Sequence, residues 1–196
     1  MSTATSFAPG FRDPVRHGQQ AFRAALDALA RPGRLQRLPA PPEAVAGLSP
    51  AGAALALALL DHETPVWLDA GSRSAAEFLR FHCGCPLVSA PDQAAFAFVA
   101  NAQALPPLDA FALGEDEYPE RSTTVIVTVA ELRESGPLHF TGPGIEARHT
   151  LTVAGLREGW LAERAQLTEL FPRGLDMFLA HGDFVCGLPR TTRIEE

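Results

Sequence analysis

The chain has 196 residues, a net charge of −7, 46% hydrophobic and 20% charged residues, and three cysteines. That balance suits one globular domain with its own core and excludes a disordered chain or a disulfide scaffold. All 16 basic residues are arginine, so no lysine Schiff base and no phosphate-loop lysine can form.

No apolar run reaches the ~20 residues of a membrane-spanning helix, so no membrane contact is expected. The N-terminus shows no basic stretch followed by an apolar one, so no signal peptide is expected either. The acidic balance argues against binding a nucleic-acid backbone. Free thiols and no export signal point to a cytoplasmic protein.

Asp13-Pro14 opens a helix in which Phe22, Leu26 and Leu29 fall at helical spacing, and Arg31-Pro32-Gly33 stops it. Arg34 to Leu38 reads as a short strand, followed by a Pro-rich connection, Pro39 to Pro42. The stretch Leu55 to Val88 organises the rest. Ser49-Pro50 caps a helix, Ala51 to Leu60, that is apolar on every face and therefore buried on all sides. It runs through Asp61-His62-Glu63-Thr64 into the strand Pro65 to Leu68. A second helix, Ser74 to His82, has capping-box spacing at Ser74 and Glu77 and leads through Cys83-Gly84-Cys85 to a strand at Pro86 to Val88.

Ala94 to Ala100 reads as a strand covered on both sides. A loop follows, with a helical turn at Leu108 to Ala112 and an acidic cluster from Glu115 to Glu120. Thr123 to Val129 is seven β-branched residues in a row, as in the middle of a sheet. Ser135-Gly136-Pro137 turns into the strand Leu138 to Thr141, and Arg148 to Val153 forms another. The last helix, Glu158 to Leu170, places Trp160, Leu167 and Phe171 on one side. Leu175 to Ala180 and Phe184 to Leu188 pair across His181-Gly182-Asp183. The fold class is α/β, a single domain over 1–196 with a mixed sheet flanked by helices.

Gly142-Pro143-Gly144 has the letters of a dinucleotide fingerprint but precedes a strand, not a helix N-terminus, so it reads as a turn. His82-Cys83-Gly84-Cys85 offers three soft ligands where a structural zinc needs four, so buried thiols are the default and no metal is assigned. Asp61-His62-Glu63 is either a general base with an orienting carboxylate, a hard-cation site, or a turn in which Asp61 caps backbone N–H groups. Pro189-Arg190-Thr191-Thr192-Arg193 places two arginines and two hydroxyls just past a strand. It suits either a phosphate or phosphonate, or a partner-binding or salt-bridged tail.

Taken in order, several segments resemble the PhnH family, the H subunit of the bacterial carbon–phosphorus lyase system. They include Phe22-Arg23, Pro32-Gly33, Leu59 to Leu68, Leu79 to His82, Pro86-Leu87-Val88, Gly142 to Ile145, Phe171 to Asp176 and Leu188 to Thr192. The likeness spans about residues 10–193. It implies a fold related to pyridoxal-phosphate-dependent transferases without that cofactor, which the missing lysine suits. It also implies work in phosphonate utilisation with sister subunits, and a homodimer in isolation. The family's assembly replaces the adenine of ATP with methylphosphonate, giving ribose 1-methylphosphonate 5-triphosphate.

Under that resemblance the chain is a scaffold for its partners. The alternatives are direct participation, with Asp61, His62, Glu63 and His82 catalytic and Arg80, Arg190 and Thr191 substrate-binding, or a stand-alone hydrolase.

Overall fold

The β-branched run forms strand β4, Thr124–Thr128, and lies in the interior of a six-stranded mixed sheet. The computed structural model describes residues 8–196; the expectation about a leader falls partly on 1–7, outside the described residues. The order across the sheet is β1 (Gln36–Arg37), β8 (Phe184–Leu188), β7 (Asp176–His181), β4, β3 (Phe96–Val99) and β2 (Val66–Leu68). Strands β2, β3, β4 and β7 run parallel, β8 runs antiparallel to β7, and β1 is antiparallel to β8. The expected hairpin joins β7 to β8, with His181 opposite Phe184.

Alternation along the central strands feeds a core on each face. Ile126 and Phe178 enter one core, with α1 (Pro14–Ala30), α2 (Pro50–Leu59) and α3 (Ala76–Cys83). Val125, Val127, Met177 and Leu179 enter the other. It is closed by α4 (Trp160–Thr168) and a three-stranded sheet of β6 (His149–Ala154), β5 (Glu131–Thr141) and β9 (Arg193–Glu195). Helix α2 is the buried helix expected: Ala51 to Ala56 are all buried, and the Ser49 hydroxyl accepts from the Gly52 N–H at 3.1 Å.

Several expectations need correction. On α1 the sheet-facing residues are Ala21, Ala25 and Ala28, while Phe22 and Leu26 are 51% and 58% exposed. The cause lies in β8, where a Cβ on Gly187 would come within 2.5 Å of the Ala28 backbone. Only small residues allow so close a crossing. Phe171 is likewise exposed, at 65%, instead of joining Trp160 and Leu167 inside.

The Ser74–Glu77 capping box does not form, because a 3-10 turn at Arg73–Ala75 leads straight into α3. Ser135-Gly136-Pro137 is a bulge within one long strand, β5, not a turn between two. Pro86-Leu87-Val88 contributes a single parallel bridge, Leu87 to Val66. The second sheet and its edge strand β9 were not anticipated. Among the described residues no helix is long and apolar enough to cross a membrane.

Candidate functional site

The residues singled out from the sequence fall into separate clusters around the sheet. Asp61 to Thr64 forms the turn before β2. The Asp61 carboxylate accepts from the Glu63 N–H at 2.9 Å and from the Thr64 hydroxyl at 2.7 Å. The Thr64 hydroxyl, and next the Glu63 N–H, hold the Asp61 carboxyl below its ordinary range. Asp61, His62 and Glu63 are all exposed, and no hydrogen bond joins either carboxylate to the imidazole. The geometry is therefore that of an Asx-capped turn presenting His62 and Glu63 to solvent.

His82, on the last turn of α3, lies with Nε2 3.0 Å from the Ala8 carbonyl and packs at a tilt against Phe78 and edge-on against Phe81. It fastens the segment before α1 to this helix. Arg80, one turn from Glu77, pairs with it at 3.0 Å on the surface. Cys83, Cys85 and Cys186 are free thiols. Burial pushes the Cys83 and Cys186 thiols up to about 12 and raises Cys85 as well. Among the described residues, no three His, Cys, Asp or Glu side chains gather as a metal would require.

Arg190 sits just past β8, at the end of the sheet where β7 begins. Its Nη2 reaches Asp176 Oδ2 at 2.6 Å and the Ser122 hydroxyl at 2.7 Å. Its Nη1 donates to the carbonyls of Pro119 and Pro172 at 2.9 and 3.0 Å, and Nε lies 3.4 Å from Asp176 Oδ1. All five guanidinium N–H groups thus have acceptors, and none is left over for a ligand oxygen. Gly174 allows this approach, since a Cβ there would lie 3.0 Å from Arg190 Cβ.

Asp61 and Arg190 do not converge. Strands β3, β4 and β7 stand between β2 and β8, so four strand spacings, roughly 19 Å, separate the two ends. Thr191 lines a groove that also carries Thr168 of α4.

Two polar groups escaped the sequence reading. Arg164 is 2% exposed, its Nη1 donating to the Leu175 carbonyl at 2.7 Å and Nη2 to that of Pro189. A signal was present: Trp160, Arg164 and Leu167 share one helical stripe, so an arginine occupies a core position. Glu163 accepts from the Leu108 N–H at 2.9 Å and pairs with Arg157, which also holds the Leu105 carbonyl. Those bonds tie the loop before β4 to α4.

The result is a lysine-free α/β protein whose strongest polar clusters are clasps between chain segments, with its exposed polar and apolar residues spread over the surface. Residues 9–195 match the family model described as "Bacterial phosphonate metabolism protein (PhnH)", and the chain belongs to that family. It is 40% identical over 191 residues, 96% of each chain, to "Alpha-D-ribose 1-methylphosphonate 5-triphosphate synthase subunit PhnH" of Rhizobium meliloti (strain 1021). Over 82 residues, 42% of each chain, it is 42% identical to HtxG of Stutzerimonas stutzeri, named as a candidate C-P lyase subunit protein.

Proposed function

We propose that this chain is an accessory subunit of a carbon–phosphorus lyase assembly in phosphonate catabolism. Within that assembly it supports formation of ribose 1-methylphosphonate 5-triphosphate from ATP and methylphosphonate, a transferase step. The observation that carries this reading is the 40% identity, over 96% of both chains, to a relative named as a subunit of that synthase. Its partners are the sister subunits, in the cytoplasm, and the isolated chain forms a homodimer. The fold reading extends to a pyridoxal-phosphate transferase ancestry without the cofactor. A chain lacking lysine has no amine for an internal aldimine.

A scaffold role suits the polar clusters described above. Arg190 and Arg164 spend their donors on main-chain and side-chain acceptors of the same chain. Phe22 and Leu26 leave an apolar stripe on α1 open to a partner. Direct participation keeps one supporting observation, the ionised Asp61 turn that holds His62 and Glu63 in solvent.

Reconstitution with Asp61→Ala protein separates the two readings. A scaffold predicts normal assembly and normal turnover. Normal assembly with lost turnover would instead place this turn in the chemistry.

A further inference from the structure

The segment 189–193 divides its side chains between two environments. Arg190 is committed to Asp176, and Thr192 is fully buried. Thr191 and Arg193 face an open groove of about 530 Å³ that also has Thr141, Gly142, Thr168 and Phe171 in its walls. Among the described residues the Arg193 guanidinium makes no hydrogen bond and no ion pair, and no carboxylate lines this groove. Arg193 stands directly across from Thr141 in the β5–β9 ladder, so both side chains leave the same face. Gly142, at φ +131°, closes the wall: a Cβ there would sit 3.0 Å from the Thr191 carbonyl.

The charge behind the groove is also unbalanced. Arg164 is buried, has no carboxylate partner, and leaves Nε without an acceptor. Asp176, the acid whose charge acts on it, is engaged by Arg190. Arg164 and Arg190 therefore both draw on the Asp176 carboxylate. Burial lowers Arg164 to about 10, which still leaves it a cation at neutral pH. A second cavity of about 370 Å³ carries Arg164 and shares Thr168 and Arg193 with the groove; its acids, Glu169 and Glu195, do not line the groove itself.

We propose that this groove binds a small phosphoryl or phosphonyl anion, held by the Arg193 guanidinium and the Thr191 hydroxyl, with the ligand's organic group against the exposed Phe171 ring. A planar guanidinium fork matches two oxygens of such a tetrahedral group, and the hydroxyl supplies a third contact. The exposed ring, at 65%, gives the organic part an apolar surface to cover. The choice of a phosphonyl ligand rests on the assembly reading, whereas the titration below reads binding by the isolated chain and can fail while the chain still supports turnover by its partners.

Calorimetric titration of the intact chain with inorganic phosphate and with phenylphosphonate tests it. Both should bind saturably, and Arg193→Gln should weaken both by about tenfold or more, the loss of one charge-assisted pair. Phe171→Ser should weaken phenylphosphonate alone, and Arg16→Gln, at an exposed arginine on α1, should change neither. Among the described residues the exposed Arg193 guanidinium has no hydrogen bond or ion pair to lose, so its variant should keep the wild-type melting temperature. Absence of saturable binding below about 10 mM, a Kd already weaker than any specific anion contact here would give, overturns the proposal. So does Arg193→Gln protein that binds both anions as the wild type does. An equal effect of Phe171→Ser on the two ligands overturns the placement of the organic group.

Discussion

Asp176 accepts from Arg190 through both oxygens: Nη2 lies 2.6 Å from Oδ2, and the Arg190 main-chain N–H lies 2.8 Å from Oδ1. The carboxylate begins β7 and the arginine follows β8, so this contact locks the open end of the hairpin. Through Pro119, Ser122 and Pro172 it also gathers the loops before β4 and β7.

Removing one partner of this pair leaves the other charged and largely desolvated. Arg190→Ala should therefore lower unfolding free energy by about 2–3 kcal/mol, below the range for fully buried pairs because both groups keep some solvent contact. Asp176→Asn should cost nearly as much, and the double variant should cost less than the sum. Urea denaturation of the four proteins measures this, and additive effects would mean that the two side chains act independently.

Acid should weaken the tie between α4 and the loop at Leu105 to Leu108. The Arg157 donor holds the folded Glu163 carboxyl below its ordinary value of 4.5. That stabilisation is complete above the unfolded value and fades as pH falls through the lower, folded one. Melting curves from pH 7 to pH 3 should show Glu163→Gln protein losing less stability in this window than the wild type. Parallel acid limbs would contradict the assignment.

The thiols should be slow nucleophiles. With Cys83 and Cys186 pushed up to about 12 and Cys85 also raised, little thiolate exists at neutral pH. An aromatic disulfide reagent at pH 7.5 should label the native chain slowly and all three cysteines after denaturation. Rapid native labelling would show Cys83 and Cys85 to be a reactive pair.

The apolar stripe on α1 should matter for association and not for folding. Phe22→Ser and Leu26→Ser remove exposed side chains, so each should change stability by no more than about 0.5 kcal/mol. Light scattering and co-purification should show weakened association with a partner or a second copy. Unchanged association would place the contact face elsewhere.

Much of the fold was readable where local chemistry decides the structure. Ser49-Pro50 caps α2 as its residue types require, and the β-branched run from Thr123 supplies an interior strand. Helix α1 misled because side-chain size was taken as a guide to burial. Its inward face is set by Gly187, more than 150 residues away, and that glycine admits only alanines. The Pro189 to Arg193 motif reads equally as an anion site or as a partner-binding or salt-bridged tail, because Asp176, which takes up Arg190, is brought to it by a hairpin and carries no local signal. Arg164 was legible and overlooked: a cation in the stripe of Trp160 and Leu167 announces a buried charge. Strand β9 is three residues long and pairs with β5 across about fifty residues of chain, so no periodicity reveals it.

The most direct measurement combines this chain with the sister subunits of a carbon–phosphorus lyase system from which the H subunit has been removed. Formation of ribose 1-methylphosphonate 5-triphosphate from ATP and methylphosphonate is then followed by phosphorus NMR. The account predicts co-purification with those subunits, product only when the chain is added, and none from the chain alone. Phosphonate turnover by the purified chain, or full activity without it, would contradict the account.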